Sequence, residues 1–174
     1  MDAAAIRIEL PASALVALIG PAGAGKTTFA ATHFRPSQVL SSDHCRLLVA
    51  DDESDQSASP AAFAVLYFIA ARRARRGRMT VIDATNVRPA DRRRTLWLAD
   101  RHQRPAIAIL FALPLDLCLA RHQARIGRTV APSVVREQWD RMPTSSESLR
   151  EEGFSAAYSF LDASDVAAAI VSVV

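Results

Sequence analysis

The unbroken apolar run ALVALI at 14–19 leads straight into Gly20-Pro21-Ala22-Gly23-Ala24-Gly25-Lys26-Thr27, and no other feature restricts the fold as strongly. A strand without polar alternation is buried on both faces, which points to a parallel sheet covered by helices. The glycines let successive backbone N–H groups turn inward, and a helix predicted over about 25–33 adds a favourable dipole. The pattern G-x-x-x-x-G-K-[ST] between strand and helix is a phosphate cradle. Lys26 would reach the β- and γ-phosphates of a nucleotide, and the Thr27 hydroxyl would face Mg²⁺. Gly20, Ala22, Gly23, Ala24, Gly25 and Thr28 complete the predicted nucleotide contact, with ATP or another NTP as the ligand.

Composition sharpens the role of Lys26. The chain has 174 residues and 21 Lys+Arg, of which only Lys26 is lysine. A compact ammonium fits a phosphate cradle where a broad guanidinium does not, so this position resists the exchange made everywhere else. The length suits one domain, residues 1–174, and 22% charged residues with 50% hydrophobic ones describe a globular chain. Cys45 and Cys118 form neither a disulfide framework nor a metal spacing, and the chain reads as a reduced, cytoplasmic protein. Residues 10–19 are too short to span a bilayer, so no membrane association is expected.

Apolar runs alternate with helical patterns, which predicts an α/β, three-layer fold with a mainly parallel sheet of about five strands. Strands are predicted at 6–10 (an edge strand), 14–19, 38–41, 78–83, 106–113 and 154–161. Helices are predicted from about Asp43, over 60–76 after the Ser59-Pro60 start, and at 89–103, 115–124, 132–142 and 165–174. Asp83 closes the run MTVID beside the cradle, where a carboxylate suits a water-mediated contact to Mg²⁺. Asp43 follows the strand 38–41 and can take a proton from an attacking hydroxyl. Arg46, three residues on, shares its helical face and can hold a neighbouring phosphate. Either Ser42 or Asp43 also serves as an ordinary helix N-cap.

Four segments together, SSDHCR at 41–46, DDESDQS at 51–57, VIDATN at 81–86 and the spacing Arg121/Arg125/Arg128, resemble polynucleotide 5′-kinases. The likeness is nearest to the kinase domain of bacterial polynucleotide kinase–phosphatases of RNA repair, and it covers nearly the whole chain. The resemblance implies an adenylate-kinase-like P-loop NTPase core with an arginine-bearing lid at about 121–135. It makes Asp43 the general base towards a 5′-hydroxyl of RNA or DNA and Arg46 the ligand of the adjacent phosphodiester. Arg121, Arg125 and Arg128 would approach the nucleotide phosphates, while Asp51, Asp55 and Asn86 would belong to the acceptor site. Phosphatase or ligase domains are the companions the resemblance implies. A small-molecule hydroxyl acceptor and a non-catalytic nucleotide switch are the alternatives.

Fourteen of the 20 arginines lie between residues 72 and 128, against four acidic residues. They form either a basic track for a nucleic-acid backbone or exposed helix ends, and the second reading suits 72–78. Trp97 and Trp139 sit among apolar residues at helical spacing and are predicted to lie in the core. The four histidines share no spacing that would hold a metal.

Overall fold

The computed structural model describes residues 6–124 and 130–174. In chain order the elements are β1 (Arg7–Leu10), β2 (Leu15–Ile19), α1 (Lys26–His33), β3 (Val39–Ser41), α2 (Ser42–Ala50), α3 (Ser59–Arg75), β4 (Thr80–Asp83), α4 (Pro89–Arg101) and β5 (Ala106–Phe111). They continue with α5 (Leu115–Gln123), α6 (Pro132–Asp140), α7 (Ser146–Glu151), β6 (Ala156–Phe160), α8 (Ala163–Ala168) and β7 (Ile170–Val173). Five parallel strands pair in the order β3-β4-β2-β5-β6, which gives the mainly parallel sheet that the alternation of apolar runs predicts.

Every residue of β2 and β5 is buried, because helices cover both sides of the sheet centre. The two faces of β2 feed different cores. Val16 and Leu18 pack with Phe29, Ile109, Phe111 and Phe160, whereas Leu15 joins Leu66, Ala70, Ile82 and Leu98 beneath α3 and α4. Phe29, Phe111 and Phe160 meet with ring centroids 5.2–5.4 Å apart at steep angles, the preferred geometry for aromatic rings. Phe29 thereby anchors α1, and α1 positions the phosphate cradle at its own N-terminus.

Three expectations are corrected. The segment 165–174 is not a closing helix: α8 ends at Ala168, and Ile170–Val173 forms β7. β7 pairs in parallel with β1 as a separate two-stranded ribbon, so the strand at 6–10 is not an edge of the main sheet. The physical cause is a β-branched run, Ile170-Val171-Ser172-Val173, meeting an otherwise unpaired strand. The tryptophans are not core residues either, since Trp97 is 61% exposed and Trp139 is 36% exposed. The helix α7 escaped the sequence reading because its six residues, SESLRE, are too few to establish a period.

One arginine of the run 72–78 is structural, and the other four are exposed. Arg73 donates from Nε to Thr80 Oγ1 at 3.1 Å and from Nη2 to the Met79 carbonyl at 2.8 Å. Arg104 Nε reaches back to the Ala74 carbonyl at 3.0 Å, an acceptor it shares with the Gly77 N–H at 3.0 Å. No helix among the described residues is long and apolar enough to cross a membrane.

Candidate functional site

The carboxyl ends of β2, β3 and β4 open into one cleft of about 370 Å³, where an open α/β sheet offers its ligand site. Ala22, Gly23, Gly25, Lys26 and Thr27 form its phosphate-facing floor. Gly23 and Gly25 hold φ at +82° and +92°, values that side chains rarely tolerate. Gly23 has a second constraint from α5. A Cβ there would lie 2.1 Å from the Cys118 carbonyl oxygen. Gly20 and Ala24 are buried and support the loop, Gly20 by donating its N–H to Thr85 O at 2.9 Å. Thr28, the third residue of α1, lies outside the cleft lining.

Lys26 is 8% exposed and donates from Nζ to the Pro21 carbonyl at 2.8 Å, curled over its own loop. The Thr27 hydroxyl donates to Asp83 Oδ2 at 2.9 Å. This hydroxyl–carboxylate pair beside a phosphate cradle suits Mg²⁺, a hard cation that prefers oxygen ligands and keeps several waters. Among the described residues no cluster of three or more His, Cys, Asp or Glu could hold a metal by itself, so the phosphates would have to share the coordination.

Arg121 lies in the last turn of α5, and its Nη1 comes within 3.7 Å of where a Gly25 Cβ would stand. Cys118, on the same helix, is fully buried. Burial pushes its thiol pKa up, while the positive charges of Lys26 and Arg121 pull it the other way. Two cations, Lys26 and Arg121, therefore lie at the loop. Arg125 and Arg128 lie outside the described residues.

Asp43 lies in the first turn of α2, whose N-cap is Ser41 rather than Ser42 or Asp43: the Ser41 hydroxyl accepts from His44 N at 3.4 Å. Asp43 Oδ1 forms an ion pair with Arg46 Nη2. Arg46 is only 7% exposed, and its remaining nitrogens also point into the protein. Nε donates to the Glu53 carbonyl at 2.8 Å and Nη1 to Ser59 Oγ at 3.4 Å. The acidic loop thus grips Arg46 through a backbone carbonyl.

The structure does not bring Asp51, Asp55 or Asn86 to the cleft wall. Asp51 takes φ +56° at the C-cap of α2, and Asp55 caps a short turn by accepting from Ser57 N at 2.9 Å. Asn86 is 1% exposed and donates from Nδ2 to the Leu18 carbonyl at 2.8 Å, tying the turn after β4 to β2. Arg92 supports the same turn by donating from Nη1 to Asn86 O and Val87 O at 2.9 and 2.8 Å, and from Nε to Glu152 Oε2 at 2.7 Å.

Other residues complete the cleft without having been singled out. Gln56, Ser59 and Phe63 line one side, and Arg88 and Asp91 another. Gln138 on α6 accepts the Ala22 N–H at 2.9 Å through Oε1, contacting the phosphate loop itself. Its neighbour Trp139 donates from Nε1 to the Leu113 carbonyl at 3.0 Å, which fixes α6 against the end of β5. No local signal marks Gln138, because 116 residues separate it from its partner.

Comparison with known proteins agrees with this geometry. A family profile described as an AAA domain, AAA_33, matches residues 15–149. The chain belongs to this AAA-domain family. It is similar in structure to a proposed kinase from Chloroflexus aurantiacus, with TM-score 0.64, 20% identity and coverage of 86% of this chain and 87% of that one. It is also similar to the Mycobacterium tuberculosis APS kinase CysC in complex with AMPPNP and APS, with TM-score 0.53, 20% identity and coverage of 66% and 70%. The third similarity is to a chain of the Pnkp1/Rnl/Hen1 complex, with TM-score 0.54, 18% identity and coverage of 70% of this chain and 41% of that one. No curated protein sequence matches. The AAA-domain chain therefore has a P-loop kinase fold.

Proposed function

We propose that this AAA-domain protein is an ATP- and Mg²⁺-dependent kinase that transfers the γ-phosphoryl group to the 5′-hydroxyl end of RNA or DNA. The observation that carries the reading is the Asp43–Arg46 pair sharing one cleft with the phosphate loop. A carboxylate and a phosphate cradle lining one cleft suit transfer to a hydroxyl, a chemistry that depends on positioning and charge stabilisation. In this reading residues 1–174 form one kinase domain with a lid at about 121–135, and phosphatase or ligase domains are its expected companions.

Asp43 takes the proton as the 5′-oxygen bonds to the γ-phosphorus and the bond to the β-phosphate oxygen breaks, releasing ADP. Arg46 keeps the Asp43 carboxylate aimed, and its outer edge would meet the acceptor's next phosphate. Lys26 leaves the Pro21 carbonyl for the β- and γ-phosphate oxygens. Arg121 approaches from α5 to stabilise charge that builds on the transferred group, and Arg125 and Arg128 are expected to assist. Thr27 and Asp83 would hold Mg²⁺, which when bound draws charge from the β- and γ-phosphate oxygens.

One observation favours a small-molecule acceptor. Arg46 directs Nε, Nη1 and Nη2 at its own protein, which leaves fewer donors for an acceptor phosphate. A single assay separates the readings. Radiolabelled ATP is offered with 5′-hydroxyl oligonucleotides and, in parallel, with nucleosides, sugars and alcohol-bearing antibiotics. Label on the oligonucleotides, lost in Asp43→Asn with ATP binding retained, is the expected result. Label confined to a small molecule would overturn the polynucleotide reading. Undiminished transfer by Asp43→Asn would remove Asp43 as the base.

A further inference from the structure

The outer face of α3 and α4 carries aromatic rings and arginines that neither the sheet nor the cleft uses. Both helices begin at the cleft, since Ser59 and Phe63 of α3 and Asp91 of α4 line it, as does Arg88 just before α4. The two run side by side from there: the Tyr67 hydroxyl lies 3.0 Å from Thr95 Oγ1 and 3.3 Å from the Asp91 carbonyl. Phe63, at the cleft wall, stacks on Tyr67 with centroids 6.5 Å apart and rings inclined by 25°. The Arg94 guanidinium lies 4.4 Å from the centroid of Tyr67.

The pattern continues outward. Phe68 and Trp97 are each 61% exposed, an unusual cost for large rings on a protein surface. Arg72 covers Phe68 at 4.9 Å and Arg101 covers Trp97 at 5.4 Å. On α4 the positions 94, 97 and 101 follow the i, i+3, i+7 spacing of one helical face. From Asp91 to Arg101 that face runs ~15 Å at helical rise, room for about 4 stacked nucleotides. Three arginines, Arg72, Arg94 and Arg101, lie over the rings of these helices, which makes the face complementary to a polyanion.

We infer that this face is the path of single-stranded nucleic acid leaving the cleft, with bases stacking on Phe68 and Trp97 and phosphates meeting Arg72, Arg94 and Arg101. Rings stack on any base and guanidinium groups follow the backbone, so the track reads strand character and length rather than sequence. The inference rests on the polynucleotide reading and adds the route of the acceptor beyond its reacting end.

The test compares 5′-hydroxyl oligonucleotides of two and ten nucleotides in the full chain, measuring KM and kcat for each. Trp97→Ala and the double substitution Arg94→Gln with Arg101→Gln are assayed beside the wild type. Expected is a lower KM for the ten-mer in the wild type, raised about tenfold by either variant, with the dimer's KM and both kcat values unchanged. The log–log salt dependence of ten-mer binding, followed by fluorescence anisotropy, should flatten by about 1.4 units in the arginine variant. Equal KM values for the two lengths, or a ten-mer KM that ignores both variants, would overturn the path while leaving the kinase reading intact. Loss of transfer to both lengths in the wild type would instead count against the kinase reading. A wild-type dimer in sedimentation that Trp97→Ala dissociates would assign the face to a second copy of the chain and overturn the inference.

Discussion

Replacing Gly23 by alanine separates two constraints that a glycine motif normally merges. Gly23 and Gly25 have nearly equal positive φ, +82° and +92°. A side chain at either costs about 1–2 kcal/mol of backbone strain. Their surroundings differ. A Cβ on Gly25 meets only the mobile Arg121 Nη1 at 3.7 Å, whereas one on Gly23 lies 2.1 Å from the Cys118 carbonyl oxygen, 3.0 Å from its carbon and 3.2 Å from the His122 nitrogen. Those are backbone atoms inside α5, and they can retreat only if the helix shifts. Overpacking of this kind costs about 1–3 kcal/mol more, so Gly23→Ala should lose ~2–5 kcal/mol where Gly25→Ala loses ~1–2. For a chain of this size the corresponding drops in Tm are about 4–20 °C and about 2–8 °C. Thermal melts without nucleotide read this difference, and ADP titration of each variant shows whether the loop or α5 gave way. Indistinguishable melting of the two variants, or a Gly23→Ala protein with wild-type Tm and ADP affinity, would refute α5 as the reason for glycine at this position.

Removing the Thr27 hydroxyl with Thr27→Val should weaken Mg²⁺-dependent nucleotide binding about tenfold while Thr27→Ser stays near wild type, as Mg²⁺ titrations with a fixed nucleotide concentration will show. Arg92→Ala strips partners from the Asn86 and Val87 carbonyls and from Glu152, so it should cost ~3–5 kcal/mol in urea unfolding, with no loss from an isosteric swap at the exposed Arg93. Burial raises both the Cys45 and Cys118 thiols above their usual pKa, so the reactive thiolate is scarcer at pH 8 than in a free cysteine. A disulfide reagent should therefore modify the folded protein much more slowly than the urea-unfolded chain, with the rate rising as pH rises. Fast modification of either thiol in the folded protein would contradict its burial.

Local chemistry explains what was legible in the sequence. A six-residue apolar run needs two covered faces, and glycines before Lys26 need a strand behind and a helix ahead. The phosphate loop and the parallel strands of the main sheet follow from such short-range rules. The sequence reading failed where the deciding partner was remote. Ile170–Val173 is a strand because β1 lies beside it, and an isolated apolar tail has no information about that neighbour. Trp97 sits at a helical apolar spacing, yet it stays 61% exposed, with Arg101 over its ring.

The candidate site divides in the same way. By itself the sequence nominated the residues for phosphoryl chemistry: Lys26 as the one lysine, Thr27, Asp43 and Asp83, each marked by its place after a strand. Tertiary structure alone decided how they are held. It buries Arg46 against Asp43, removes Asn86 from the cleft to brace β2, lays the α5 backbone on Gly23 and brings Gln138 across 116 residues to the Ala22 amide. The reason is physical: dihedral preference and hydrophobic period act over a few residues, whereas close contact and hydrogen bonding act on whatever the folded chain brings within a few ångströms.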